Sequence, residues 1–234
     1  MKSKKSISLF LILLSLILNS CSKSDDKVTT SDNLSLVPIA KSQYDNSNFG
    51  IYKGVFVGSS GIIIVNINND NTLKATLIIN DITYNFTTNK TLQQNQETTI
   101  NFVSGSDYLT FSVDKDGRNP NFTNLKIEGH PNAAINAAKE TSTTLIKCYE
   151  GTYSGGSSGV FNVLIYGNSI KGLVENNSTN SIDIAEGEVN NNEIIGDITS
   201  GATFSGTLNG NSFSGTWKNA QYNQIGTFTG KRTY

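Results

Sequence analysis

The residues able to do chemistry are few and widely spaced. Gly155-Gly156-Ser157-Ser158-Gly159 fits G-x-S-x-G, the pattern of an elbow that lifts a nucleophilic serine between a strand and a helix. Here residues 160–165 read as a strand, and Gly58-Ser59-Ser60-Gly61 recurs in the matching place of an earlier repeat. The pattern is therefore expected to be a hairpin turn. His130 is the one histidine, and no serine or cysteine motif points to it; a structural or surface role is expected. Cys148 reads as a small buried hydrophobe. Asp114-Lys115-Asp116-Gly117 begins like a calcium loop, but Arg118-Asn119-Pro120 follows where further oxygen ligands and a closing acid are needed. A turn is expected there. No catalytic residue, metal site or cofactor is assigned.

Five residues remain as candidates for holding a ligand: Trp217, Tyr222, Tyr166, Glu186 and Glu188. Aromatics at loop ends suit stacking on sugar rings, although the inward parity of Trp217 points to a core or cavity-floor position. Glu186 and Glu188 fall on one strand face with Ile182 and Ile184. Two acids near a barrel mouth suit acid–base work on a glycan; the other reading is a solvated strand end.

Strands must position these residues, because the alternation along the chain has period two. Tyr149, Gly151, Tyr153 and Gly155 share one face, with Thr152 and Ser154 on the other. Phe204, Gly206 and Leu208 alternate with Ser205 and Thr207. Phe213, Gly215 and Trp217 alternate with Ser212, Ser214 and Thr216, and Gly226, Phe228 and Gly230 with Thr227 and Thr229. Asn- and Gly-rich breaks such as Asn209-Gly210-Asn211 are hairpin signals.

The chain also repeats itself. Tyr52-Lys-Gly54-Val-Phe56-Val-Gly58 matches Tyr149-Glu-Gly151-Thr-Tyr153-Ser-Gly155, and Asn71-Thr-Leu73-Lys-Ala75 matches Asn168-Ser-Ile170-Lys-Gly172. An extra residue in one turn is cancelled in the next, which points to a duplicated unit of seven or eight short strands. The expected fold is all-β: two tandem antiparallel β-meander copies, each a small up-and-down barrel or, alternatively, a sandwich. Residues 62–65 are apolar on both faces, so the copies are expected to touch there. Residues 131–142 are alanine-rich after a proline, and one short connecting helix is expected. It would cover Ile146 and Cys148. The expected organisation is a signal peptide at 1–20, a flexible tether at 21–48, the first copy at 49–130, the helix at 131–142 and the second copy at 143–234.

The front end carries an address. Lys2, Lys4 and Lys5 precede residues 7–18, of which ten of twelve are apolar. Twelve residues of helix rise about 18 Å, short of the ~30 Å hydrocarbon core, so a secretory signal fits better than a span. The stretch ends in Leu18-Asn19-Ser20-Cys21, which resembles the lipobox of bacterial lipoproteins. That resemblance implies removal of residues 1–20 and acylation of Cys21 (palmitate-type chains on a lipidated cysteine). Ser22-Lys23-Ser24-Asp25-Asp26 resembles the acidic export tag of gram-negative lipoproteins moved to the outer face of the outer membrane.

With Cys21 lipidated, Cys148 has no intramolecular disulfide partner. Cleavage removes three of the 18 Lys+Arg and none of the 19 Asp+Glu, leaving a net charge of about −4. No basic cluster is present, so nucleic acid is excluded as an expected partner. The expectation is a surface-exposed, lipid-anchored, non-catalytic binding or accessory protein whose partner is a glycan or another envelope protein. A carboxylate-dependent hydrolase and a purely structural envelope component are the alternatives.

Overall fold

The computed structural model describes residues 34–234, and the signal, lipobox and export-tag residues lie outside them. Sixteen strands build two units. The first contains β1 (Gly50–Val57), β2 (Gly61–Ile67), β3 (Leu73–Ile79), β4 (Ile82–Thr87), β5 (Thr98–Ser104), β6 (Asp107–Val113), β7 (Asn121–Lys126) and β8 (Ala134–Glu140). The second contains β9 (Lys147–Gly155), β10 (Gly159–Tyr166), β11 (Ser169–Asn176), β12 (Ile182–Asn190), β13 (Glu193–Ile198), β14 (Ala202–Asn209), β15 (Ser212–Asn219) and β16 (Gln224–Arg232).

Both units are antiparallel meanders of eight strands whose last strand returns to pair with the first. In the second, β16 pairs with β9 and the barrel closes. In the first, β8 pairs with β1, but β7 and β8 do not hydrogen-bond to each other, so the sheet stops just short of closure. Its β4 and β5 are joined only at Thr87 and Val103. The matching strand order and the equivalent buried Tyr52 and Tyr149 fit the repeat seen in the sequence.

Asparagine sets the turns. Asn80 and Asp81 between β3 and β4, and Asn191 and Asn192 between β12 and β13, all have positive φ. Two consecutive left-handed residues give the type I′ turn, whose twist matches that of the strands it joins. Inside the second barrel, rings lie over glycines of the neighbouring strand. A Cβ on Gly226 would stand 2.4 Å from Trp217 Nε1, and one on Gly196 would stand 2.4 Å from Phe204 Cζ. The alternation of aromatic and glycine thus serves packing: at Gly151, Gly196, Gly215, Gly226 and Gly230 the missing side chain is the seat of a ring.

Two expectations need correction. No α-helix joins the copies among the described residues. Ala134–Glu140 is β8, paired over seven residues with β1 from Ile51↔Glu140 to Val57↔Ala134. Helix propensity differs between residues by tenths of a kcal/mol, which cannot compete with a sheet edge offering a full ladder. Small side chains are required there by contact, since a Cβ on Gly54 would come within 2.8 Å of the Ala137 methyl. The first copy therefore runs past residue 130 to Glu140.

The expected tether is also shorter. Within it, Ile39 N donates to Glu140 Oε1 at 2.8 Å and Lys41 N to Asn69 Oδ1 at 2.9 Å. A single 3-10 turn, Ser42–Tyr44, follows. Buried Asn48 then plugs one end of the first barrel, donating to Gln93 O at 2.9 Å and Thr98 Oγ1 at 2.7 Å. The polar composition that suggested a loose linker is satisfied by docking onto turns.

The barrels touch side by side, at the strand the sequence singled out. Ile63 and Val65 face the first interior, while Ile62 joins Val55, Ala138, Ile146, Cys148 and Leu164 in a shared apolar cluster. Ile146 and Cys148 are indeed covered by the alanine-rich segment, but by a strand. Polar bonds surround the cluster: Asn162 Nδ2 donates to Phe56 O at 2.8 Å, and Gly58 N donates to Glu175 Oε2 at 2.9 Å. Lys53 and Glu140 form a fully buried ion pair beside it. Glu140 also accepts from Ile146 N, at 3.1 Å, so the pair is held in a satisfied network as burial of charge requires.

Candidate functional site

A cavity of about 630 Å³ opens at one end of the second barrel. Its walls follow from the strand parity. Tyr153 on β9, Phe161 on β10, Phe204 on β14, Trp217 on β15 and Phe228 on β16 all point inward and line it. These rings brace each other edge to face: Phe161 and Phe228 at 5.1 Å and 82°, Phe161 and Phe204 at 5.4 Å and 69°, Tyr153 and Trp217 at 5.7 Å and 90°. Such geometry sets the positive edge of one ring against the negative face of the next. Trp217 Nε1 donates to Ser154 O at 3.1 Å, which fixes the indole's rotation.

Turns of the same barrel end form a polar rim. Ser157 and Ser158 come from the β9–β10 turn, and Asn176, Ser178, Thr179 and Ser181 from the β11–β12 loop. The loops are tied together before any ligand arrives. Asn177 N donates to Ser158 O at 3.0 Å, and Asn176 Oδ1 accepts from Ser178 N at 2.9 Å and Ser178 Oγ at 2.7 Å. Across the mouth, buried Asn219 accepts from Gln221 N at 3.1 Å and Tyr222 N at 3.3 Å while donating to Ser200 O at 3.2 Å. That turn holds Tyr222 at the edge of the cavity, 62% exposed.

The electrostatics are simple. Asp183 is the one charged side chain among the lining residues, and no lysine, arginine or histidine lines the cavity. Burial raises the Tyr153 phenol above its ordinary value, so its hydroxyl keeps its proton. The arrangement offers ring faces, hydroxyls and amides to a guest. It does not offer a paired acid and base. Among the described residues, no group of three or more His, Cys, Asp or Glu side chains is placed to hold a metal ion.

Of the five candidate ligand residues, the structure brings together Trp217 and Tyr222. Trp217 is a cavity wall, 7% exposed. Tyr166 lies at the far end of β10, packed against the cluster between the barrels. Glu186 and Glu188 are exposed on the outer face of β12, opposite Lys171 and Ser169. Buried Ala185 takes the inward position beside them, which turns both acids to the outside. They neither face each other across a cleft nor reach the mouth, so the pair suited to glycan hydrolysis is absent there.

The remaining motifs behave as turns and packing groups. Gly155–Gly159 spans the β9–β10 hairpin, and Asp114–Pro120 connects β6 to β7. Cys148 is buried, and burial pushes its thiol up to about 12. His130 packs edge-on against Phe56, with Nδ1 2.8 Å from Ser59 Oγ and 3.1 Å from Gly58 O. The Gly58 carbonyl can only accept, so it favours the tautomer with hydrogen on Nδ1, which cannot take a proton from Ser59. The contact staples a turn.

Sequence reasoning missed the serine-rich rim. A signal for it existed in the repeat: β3 and β4 are joined by two residues, β11 and β12 by five. Scans against family models, curated proteins and solved structures found no match for this chain.

Proposed function

We propose that this chain is a lipid-anchored, non-catalytic binding protein of the bacterial outer membrane, and that the second barrel receives a neutral carbohydrate in its mouth. The anchor reading rests on the lipobox at Leu18-Asn19-Ser20-Cys21, and surface exposure on the acidic stretch after it. The observation that carries the ligand reading is the cavity itself. An aromatic floor under a rim of hydroxyls and amides matches a sugar's two faces, apolar C–H and polar O–H. The lack of a lining cation beside Asp183 disfavours phosphate and carboxylate groups, whose desolvation would go uncompensated. Specific binding sites of this kind are concave, largely apolar and equipped with a few convergent polar groups.

Trp217 is the sole tryptophan of the chain and forms a cavity wall, so its fluorescence reports occupancy directly. The test is an array of neutral and of sulfated or phosphorylated oligosaccharides, with hits followed by Trp217 emission. Neutral glycans are expected to shift the emission and charged ones to leave it unchanged. An array on which no neutral glycan binds would overturn the ligand assignment.

A further inference from the structure

The segment that leads from the expected anchor crosses the molecule at the end away from the cavity. The mouth is built from the turns β9–β10, β11–β12, β13–β14 and β15–β16. The opposite, floor end of the same barrel is built from the turns β10–β11, β12–β13 and β14–β15. Arg232, the last residue of β16, pairs with Tyr149 at the start of β9, and its backbone N donates to Asn211 O in the β14–β15 turn at 2.7 Å. Arg232 is therefore a floor residue, and its guanidinium donates through Nη2 to Ser35 O. Ile39 then bonds Glu140, and its carbonyl accepts from Asn69 Nδ2 at 3.0 Å in the β2–β3 turn of the first barrel. The strap thus runs across the floor ends of both barrels.

Between these fixed points the strap holds apolar side chains in solvent. Leu36 is 83% exposed and Val37 66% exposed, with Pro38 between them and Ile39. Ser35 Oγ donates to Val37 O, which holds the local bend. Among the described residues these are the exposed large hydrophobics nearest in sequence to Cys21. The twelve residues between Cys21 and Leu34 span at most about 45 Å, which bounds how far the strap can stand from the lipid.

We propose that the floor end is the membrane-facing surface, that Leu36 and Val37 enter the lipid interface there, and that the ligand mouth opens away from the bilayer. This rests on the reading of Cys21 as the acylated anchor. Eight-residue strands tilted as in small barrels set the mouth about 20 Å above the floor. Short apolar insertions reach about 5–10 Å into the headgroup and acyl boundary. The surface is thus sorted into a lipid end and a ligand end.

The experiment uses the full acylated protein reconstituted into phosphatidylethanolamine–phosphatidylglycerol vesicles. Variants Val37→Cys and Tyr222→Cys are labelled with an environment-sensitive fluorophore; acylated Cys21 has no free thiol, and buried Cys148 is inaccessible to the label. A doxyl group near the top of the acyl chain serves as quencher. The label at position 37 is expected to be quenched about twofold or more, and the label at position 222 not at all. In a Leu36→Ser, Val37→Ser background carrying the label at Ser35→Cys, quenching should fall back towards that of position 222. Quenching at 222, or none at 37 in vesicle-bound protein, overturns the orientation. Protein that fails to float with vesicles, with an unmodified Cys21 by mass spectrometry, overturns the anchor reading instead.

Discussion

The two barrels share a strand plan and differ in what occupies their ends. The first is filled with aliphatic side chains such as Ile63, Val65, Ile67, Leu77 and Ile100 around four phenylalanines, Phe56, Phe86, Phe102 and Phe111. It is stoppered at one end by Asn48 and at the other by the segment after β7, where His130 packs on Phe56. A Cβ on Gly58 would lie 2.9 Å from the Ala133 backbone, so no space is left there. The second is floored by Phe161, Phe204, Phe213 and Phe228, and its corresponding end is open. There the β15–β16 connection is a short turn that does not fold over the mouth. One copy is therefore filled throughout, and the other is hollow at one end. The hollow comes from loop lengths and ring geometry, with the strand order unchanged.

The largest test of this comparison is at the seam. Glu140→Ala leaves Lys53 buried without its partner and strands the Ile39 and Ile146 amides. A loss of about 3–5 kcal/mol is expected. Urea unfolding followed by Trp217 emission and by far-ultraviolet dichroism checks it. Because Trp217 belongs to the second barrel only, separated transitions in the variant would show that the seam couples the two. Lys53→Met with Glu140→Leu should recover most of the loss.

The filled and hollow interiors can be exchanged next. Ile63 of the first barrel corresponds to Phe161 of the second, each being the third residue from the start of β2 or β10. Ile63→Phe should overpack the first barrel at a cost of about 1–3 kcal/mol. Phe161→Ile should instead enlarge the cavity and weaken glycan binding. Thermal melts and Trp217 titrations read the two outcomes, and equal destabilisation by both would erase the distinction drawn between the interiors.

Alkaline pH examines the cluster between the barrels. The Cys148 thiol, raised by burial to about 12 from an ordinary 9.0, keeps its proton in the folded protein after the unfolded chain has lost it. The folded state then binds more protons, so stability falls as pH rises from 9 towards 12, by up to about 1.4 kcal/mol per pH unit. Lys139 works the other way: burial lowers it to about 8, so folding gains as pH rises from about 8 to its ordinary 10.5. Comparing wild type with Cys148→Ala isolates the thiol, because Lys139 is common to both. Equal slopes above pH 9 would count against a sealed interface. The smallest stability effect is expected at the mouth, where Tyr222→Ala should change unfolding by under about 0.5 kcal/mol while weakening glycan binding about tenfold.

The period-two pattern of Phe, Trp and Gly made the second barrel's interior readable residue by residue, because a pleated strand sends alternate side chains to opposite faces whatever its neighbours do. The repeat likewise announced two units in contact at residues 62–65. Two things were not legible. Ala134–Glu140 has local preferences for a helix, and only the unpaired edge of β1 made it a strand; the equivalence with β16 was the one hint. Glu186 and Glu188 share a face, but whether that face meets a cleft or open solvent depends on which side the barrel curls.

By itself, then, the amino-acid order determined the alternation, the turns, the duplication and the lipobox-like address, all of which are short-range facts written into neighbouring residues. Tertiary structure alone decided which barrel end stays open, where the strap crosses, and that Lys53 and Glu140 share one buried seam. Those depend on strand closure and loop docking, which join residues far apart in the chain, as Lys53 is from Glu140 and Ser35 from Arg232. No local pattern encodes such distances.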